Sequence, residues 1–440
     1  FFFFRSPKSA SDKIQINILG ENSSTIQALI SLEKDYELKN PNIDLIFHPN
    51  TYDDAFNKSN QDFTNKTGLY DIVLQYNFSL TSFVGNKYVY PIEELLKQLP
   101  NVDKSFESDL FPNAWTEVGY FYKDITDQKS GTVKVGYPFA ANSMLVMYNK
   151  EMLENELNKT NFKIKYKKDL VPPDNWDDFY RIAEFFTNKS ADTYGVCLEG
   201  GNGGFLYYDW SNFLYGMGGK IMDKNVGWHG DVNSTLYLTS PESIKALTFY
   251  KSLKPFNKGN FSDVEQSLQM KYMKEGKTAL AIVWSDMLYP NLNTENGFDL
   301  RFGFKELPGG KSVLAGGAFF INKQSKHPLE AAKYIMSIMQ EVNQVQLSRK
   351  GLSCPTMKAY SDPEVQKLPY AAPLYNSLKR GGVVLEAGPD ANLISEVLTT
   401  YIQKCWNSEL PPHIALEKAQ AEIQEKRIEI FNSLRTNQSR

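Results

Sequence analysis

Histidine and cysteine are scarce in this sequence of 440 residues, which has four histidines and three cysteines. Cys197, Cys354 and Cys405 show no CxxC spacing, so neither a zinc site nor a disulfide framework is indicated, although one pair could bridge in an oxidising compartment. The sequence also lacks GxSxG, HExxH and complete phosphate-loop motifs. It therefore predicts no cofactor, no metal and no familiar catalytic centre.

Long apolar runs and an excess of charge are also lacking. No run of about eighteen apolar residues is present that could span a bilayer. The 48 basic and 51 acidic residues leave a net charge of -3, which argues against a nucleic-acid-binding protein. Phe1 to Phe4, followed by Arg5, are typical of the end of a hydrophobic segment. Residues 1–10 are therefore interpreted as a tail or the remnant of a membrane or signal segment.

Aromatic residues, in contrast, are abundant, at 13% of the chain. Most are expected to fill hydrophobic cores, because a chain of this length can form two sizeable cores. A few aromatic rings could instead offer flat apolar faces to a ligand with sugar-like rings.

The first 75 residues alternate between strand and helix patterns. Strands are predicted at residues 13–19, 43–47 and 70–74, and helices at 25–36 and 52–65. This order predicts a parallel sheet with crossover helices.

The remainder of the chain has the same character with more aromatic residues. The predicted strands are 137–150, 194–198, 278–284 and a strand pair formed by 302–307 and 318–322. The predicted helices begin near Asp174 or cover 210–215, 241–253, 328–348, 390–406 and 411–432. No long linker separates the two regions, so several strands are expected to join two lobes as a hinge.

Residues 137–150, with the sequence YPFAANSMLVMYNK, are the most informative stretch because they form one apolar strand ending in Tyr-Asn-Lys. Further landmarks follow in order: Pro173-Asp174-Asn175-Trp176-Asp177, the Gly-Gly turn within residues 213–223, Glu275 to Leu280, and Leu314 to Ala318. Together they resemble bacterial extracellular solute-binding proteins, the sugar-binding group that includes maltose-binding protein.

This resemblance implies an α/β fold of two lobes, as in periplasmic binding proteins. Each lobe is expected to be a mainly parallel sheet flanked by helices, with crossover strands as the hinge. The predicted N-terminal lobe comprises residues 11–141 and 283–320, and the C-terminal lobe comprises 142–282 and 321–440.

The ligand of such a fold is expected outside the carboxyl ends of the strands, where loops from both lobes converge. Trp210 and Trp284 match positions that stack on sugar rings in the family, and the amide of Gln75 suits a sugar hydroxyl. Core packing, surface turns and backbone partners are the alternative roles. The predicted ligand-binding residues are Glu21, Asn22, Gln75, Tyr76, Asn142, Ser143, Tyr208, Trp210, Trp284, Asp286, Gly316, Gly317, Glu386 and Asp390.

The resemblance implies a monomeric extracytoplasmic protein, either free or membrane-anchored as a lipoprotein is. It would capture a mono- or oligosaccharide by hinge closure and deliver it to the permease subunits of an ABC importer, without catalysing a reaction. One alternative is the ectodomain of a membrane-anchored sensor. Another is a polysaccharide-cleaving enzyme, for which Asp286 and Glu386 are the only carboxylate pair considered.

Overall fold

The computed structural model describes residues 13–124, 127, 129–201, 204–223 and 232–438, so the segment interpreted as a remnant (1–10) lies outside the described residues. The strands are β1 (Ile14–Glu21), β2 (Ile43–Asn50), β3 (Ile72–Tyr76), β4 (Tyr120–Tyr122), β5 (Thr132–Lys134), β6 (Tyr137–Asn149), β7 (Tyr194–Cys197), β8 (Thr278–Trp284), β9 (Asn293–Thr294), β10 (Gly297–Phe298), β11 (Phe302–Lys305) and β12 (Leu314–Ile321).

The helices of the described residues lie mostly between these strands and after β12. They are α1 (Ser24–Ile30), α2 (Glu33–Lys39), α3 (Tyr52–Asn65), α4 (Ile92–Leu96), α5 (Pro112–Gly119), α6 (Lys150–Leu153), α7 (Glu156–Tyr166), α8 (Trp176–Phe186), α9 (Phe205–Gly216), α10 (Pro241–Ser252), α11 (Gln266–Lys274), α12 (Leu288–Leu292), α13 (Pro328–Ile338), α14 (Glu341–Arg349), α15 (Pro363–Gln366), α16 (Ala371–Arg380), α17 (Ala391–Trp406) and α18 (Pro412–Gln438).

One central sheet runs through the molecule in the order β2-β1-β3-β12-β6-β8-β7, and β11 also pairs with β6. Strand β1 is parallel to both β2 and β3, and β7 is parallel to β8. These pairings confirm the α/β class and the parallel strand–helix–strand arrangement predicted for the first 75 residues.

Strand β6 joins the two halves of this sheet. Its residues 137–143 pair with β12, which in turn pairs with β3. Its residues 144–148 pair instead with β8, so the partner changes between Ser143 and Met144. Apart from Tyr148, which is partly exposed, every residue of β6 is buried, as expected for an apolar strand covered on both faces.

Three predicted elements differ from the structure. The helix predicted at 25–36 is interrupted after Ile30, where the Ser31 hydroxyl donates to the carbonyl of Ala28. The helix predicted at 328–348 is divided by Gln340, whose backbone is extended. The strands predicted as a pair, 302–307 and 318–322, instead pair with successive stretches of β6, so they do not face each other.

Helix α13 packs against an element that comes early in the chain. This helix lies in the predicted C-terminal lobe by sequence, but it packs against α4 and β12 in the half of the sheet that contains β1–β3. In contrast, α17 packs against α18 and α9 beside the second half. Strand β12 and helix α13 therefore both belong to the first half, and the chain adds α17 and α18 to the second half only afterwards.

Cys197, Cys354 and Cys405 are all buried and free. In the part of the chain that the structure describes, no helix combines the length and the apolar character needed to cross a membrane.

Candidate functional site

Side chains from the ends of three strands meet beside β6. Glu21 ends β1, Tyr76 ends β3, and Asp286 lies two residues beyond β8. The Tyr76 hydroxyl donates to Oε2 of Glu21 at 2.7 Å, and Nδ2 of Asn142 donates to Oδ2 of Asp286 at 3.0 Å. We call these four residues the polar cluster. It lies where a ligand of an open α/β sheet is expected.

The two carboxyl groups of the polar cluster are close enough to influence each other. Burial raises the pKa of Asp286 to about 7, and the nearby charge of Glu21 is the second cause. Burial also raises the pKa of Glu21, which the hydrogen bond from Tyr76 partly counteracts. A bound hydrogen-bond donor or positive charge would therefore lower the pKa of both groups.

Aromatic rings lie on either side of the polar cluster. The ring of Tyr52, at the start of α3, lies 5.8 Å from Tyr76 and 5.6 Å from Phe78, measured between centroids. The ring of Tyr208, in the first turn of α9, lies 5.7 Å from that of Trp284 in an edge-on arrangement. These rings supply apolar faces next to the hydrogen-bonding groups.

A cavity of about 550 Å³ lies beside Tyr52 and Tyr208, and residues from both halves of the molecule line it. Tyr52 and Phe78 contribute from the first half, while Tyr208 and α17 contribute from the second. Glu386 also lines this cavity and accepts a hydrogen bond from the Tyr207 hydroxyl at 3.1 Å. Its volume is within the usual range for a small-molecule site.

A comparison with protein-family models identifies residues 31–373 as a bacterial extracellular solute-binding protein. The chain belongs to this family. The match spans most of the chain and confirms the resemblance that the ordered landmarks predicted.

Solved structures of solute-binding proteins share the fold over nearly the whole chain. A solute-binding protein of an ABC transporter from Thermotoga lettingae TMO, bound with α-D-tagatose, is 20% identical, with a TM-score of 0.75 over 94% of this chain and 100% of that one. The GacH receptor of Streptomyces glaucescens GLA.O, solved unliganded and with acarbose, is 17% identical, with a TM-score of 0.74 over 95% and 98%. A protein from Agrobacterium radiobacter K84 in complex with ribitol is 19% identical, with a TM-score of 0.73 over 94% and 99%. At these identities the structures establish the two-lobed fold.

Within this solute-binding fold, two predicted ligand residues are fully enclosed by protein. Trp210 is fully buried on α9 inside the core of the second half. Asp390 is also fully buried, and its Oδ2 accepts from Nε of Arg427 at 2.9 Å. In this conformation neither residue offers a free surface to a ligand.

Ser143 and Asn22 have protein partners of their own. The Ser143 hydroxyl lies 2.6 Å from that of Ser312 and 2.9 Å from that of Ser377, inside a buried triangle of hydroxyl groups. Oδ1 of Asn22 accepts from Nε2 of Gln27 at 2.8 Å, at the start of α1. Both residues thus stabilise local structure beside the site.

The predicted glycines allow close packing rather than an open approach. A Cβ atom on Gly316 would lie 2.5 Å from Cγ1 of Val118, and one on Gly317 would lie 2.3 Å from Cζ of Phe139. Gln75, next to Tyr76 in β3, is buried and points to the opposite face of the sheet, as alternation requires.

Sequence reasoning missed Tyr52 and two buried carboxyl groups, Glu199 and Asp209. Tyr52 follows the end of β2, and Glu199 lies two residues beyond β7, so their positions at strand ends were the available signal. Asp209 lies one turn into α9, and Oδ2 accepts from the Tyr250 hydroxyl at 2.6 Å. Burial raises its pKa to about 8. Nothing in the local sequence of this helix marks that carboxyl group.

Proposed function

We propose that this protein binds a carbohydrate in the cleft between the two halves of the molecule and delivers it to an ABC importer. The observation that carries this proposal is the polar cluster, flanked by the rings of Tyr52, Tyr208 and Trp284, in a chain of the solute-binding family. Hydrogen-bonding groups beside flat apolar faces suit a ligand that has both hydroxyl groups and ring faces.

The magnitudes of these interactions are sufficient for useful affinity. Covering ~50–100 Å² of one aromatic face contributes about 1–2.5 kcal/mol at the usual area coefficient. A hydrogen bond to a carboxylate such as Asp286 contributes about 1.5–3 kcal/mol. Two ring contacts and several such hydrogen bonds therefore support a dissociation constant on the order of 1 μM after the costs of association.

Closure of the two halves would couple binding to transport. Tyr52 and Tyr208 line the same cavity from different halves, and β6 passes from one half to the other beside Asn142. A ligand that contacts both halves favours the closed state. Shifting that state from 1% to 99% requires a preference of about 5.5 kcal/mol.

The ligands of structurally similar proteins support the carbohydrate class. The solved structures include complexes with ribitol, α-D-tagatose and D-mannitol, and a cyclo/maltodextrin-binding protein with maltotetraose. From these ligands we infer for the present protein only the general class of ligand, a sugar or polyol.

The remaining parts of the proposal follow from the family. We place the protein outside the cytoplasmic membrane, as a monomer that meets the permease subunits of an importer and catalyses no reaction. The sensor alternative rests on residues 1–5, which lie outside the described residues.

A calorimetric screen tests this function directly. Mono-, di- and oligosaccharides and polyols would be titrated into the purified protein, with amino acids and short peptides as controls. We expect saturable binding of one carbohydrate class with a dissociation constant near or below the micromolar range. Binding confined to peptides or amino acids would contradict the proposed ligand class, and consumption of an oligosaccharide would contradict the proposed absence of catalysis.

A further inference from the structure

We infer that the carbohydrate bound by this protein carries a protonated amine, as an amino sugar does, and that the amine lies against Glu21 and Asp286. This inference rests on the proposed function and narrows its ligand class.

The first observation is that the polar cluster has acceptors available and few donors. The Tyr76 hydroxyl is committed to Glu21, and Nδ2 of Asn142 is committed to Asp286. Oδ1 of Asn142, in contrast, is buried without a hydrogen-bond partner among the described residues, and only 1% of this residue is exposed. An ammonium group has three donors and no acceptor, so it complements this arrangement. A neutral hydroxyl would also need a donor for its own oxygen.

The second observation concerns charge. Within the described part of the chain, no lysine, arginine or histidine forms an ion pair with Glu21 or Asp286. The described lining of the adjoining cavity likewise includes carboxylates, such as Asp53 and Glu396, but no basic side chain. Two partly buried carboxylates that lack a basic partner repel each other, and a bound cation would relieve that repulsion.

The third observation identifies the kind of cation. The residues that the structure describes contain no group of three histidine, cysteine or carboxylate side chains arranged to hold a metal ion. The surroundings are instead aromatic, with the rings of Tyr52, Tyr76, Tyr208 and Trp284 close to the carboxylates. An organic ammonium gains from both neighbours, because it donates to carboxylates and is attracted to ring faces. The ring faces also account for the sugar part of the ligand.

Matched ligands that differ only in the amine separate this inference from the proposed function. Glucosamine would be compared with glucose and N-acetylglucosamine, and the β-1,4 glucosamine dimer with cellobiose and N,N'-diacetylchitobiose, by calorimetry at pH 7. Spermidine would serve as an amine without a sugar. We expect at least one amino sugar to bind at least tenfold more tightly than its neutral and acetylated counterparts.

Variants then locate the amine. Asp286→Asn and Glu21→Gln keep the side-chain shape but remove the negative charge, and each should weaken binding of the amino sugar tenfold or more. Their effect on a neutral sugar should be clearly smaller. Asp169→Asn, whose side chain is 73% exposed and paired with Lys163, is the matched control and should leave both affinities unchanged.

The other possible outcomes would each contradict either the amine, its position or the carbohydrate. Preferential binding of neutral or acetylated sugars would overturn the inference and leave the proposed function intact. If spermidine binds and none of the sugars does, the result would support an amine-binding site but contradict a carbohydrate as the ligand. Equal effects of Asp286→Asn on charged and neutral sugars would overturn the assigned position, and binding of none of these ligands would overturn the inference.

Discussion

Asp209 is a fully buried carboxyl group on α9, and the described residues do not pair it with a basic side chain. It accepts a hydrogen bond from Tyr250 and another from the backbone of Glu199, yet burial still raises its pKa to about 8. Near neutral pH the folded protein therefore holds a proton that an unfolded aspartate, with its usual pKa near 4, would release.

The contribution of Asp209 to stability therefore falls as the pH rises from about 4 to 8, because the folded state binds more protons at this group in that window. Asp209→Asn keeps an acceptor for Tyr250 and removes the titration. We expect the unfolding free energy of the variant to fall less steeply with rising pH than that of the unmodified protein, by up to ~1.4 kcal/mol per pH unit. Urea unfolding at pH 5, 6, 7 and 8 measures the slope. An unchanged slope in the variant, with Asp169→Asn as control, would contradict the assignment.

Trp210 and Tyr208 lie on the same helix, and we expect Trp210 to stabilise the core and Tyr208 to bind the ligand. Trp210 is fully buried, so Trp210→Ala should lower the unfolding free energy by about 3–5 kcal/mol. Tyr208 is only partly buried and faces Trp284, so Tyr208→Ala should weaken sugar binding about tenfold with a smaller loss of stability.

Urea unfolding and calorimetry on both variants check this pair, with Trp210→Phe as the milder substitution for the affinity measurement. If Trp210→Phe lost as much affinity as Tyr208→Ala, Trp210 would contribute to ligand binding as well as to the core, which contradicts the prediction.

The roles of individual residues on α9 could not be predicted from the sequence. Nearly every residue from Leu206 to Tyr215 is buried, so the helix has no exposed face from which periodicity could identify the inner one. Trp210 and Tyr208 were therefore both predicted as ligand residues, although only Tyr208 lines the cavity. The members of the polar cluster Tyr76, Asn142 and Asp286 were easier to single out, because strand ends and a polar residue in an apolar strand are visible in the local sequence.

At the scale of elements, β12 depends on close packing with its neighbours. Gly316 lies where a Cβ atom would approach Cγ1 of Val118 on α5 to 2.5 Å. Val118 is itself fully buried, so it has little room to move.

Gly316→Ala should therefore lower the unfolding free energy by about 1–3 kcal/mol through overpacking. Adding Val118→Ala removes the atom in the way, so the double variant should lose less stability than the sum of the two single variants. Urea unfolding of the three proteins measures this coupling. Strict additivity would mean that the strand relaxes without contacting Val118.

The elements themselves were largely predictable, and the exceptions have local causes. The alternating pattern of β1 and the apolar runs of β6 and β8 are strong strand signals, and all three are present. The interruptions after Ile30 and at Gln340 were missed because neither glycine nor proline marks them. The partners of β11 and β12 were missed because pairing between distant strands is not encoded in local sequence.

At the scale of the whole molecule, the order of weak landmarks predicted the family and the two-lobed fold. The path of the chain between the halves was harder to predict, since β12 brings the chain back to the first half, where α13 packs on α4. Such a return depends on contacts across long sequence separations, which no single segment reveals.

Ligand binding should also change the shape of the molecule. Since Tyr52 and Tyr208 contact the same cavity from different halves, a bound sugar should favour the closed arrangement. Small-angle X-ray scattering with and without the sugar should show a smaller radius of gyration in the complex. The same radius in both samples would argue that binding does not require hinge closure.

A crystal structure with the carbohydrate identified by the titration screen would locate the binding site. We expect sugar density between the two halves of the molecule, within hydrogen-bond distance of Asp286 and Asn142 and against the rings of Tyr208 and Trp284. Density for the sugar at a surface remote from the polar cluster, with that cluster unchanged, would contradict this location.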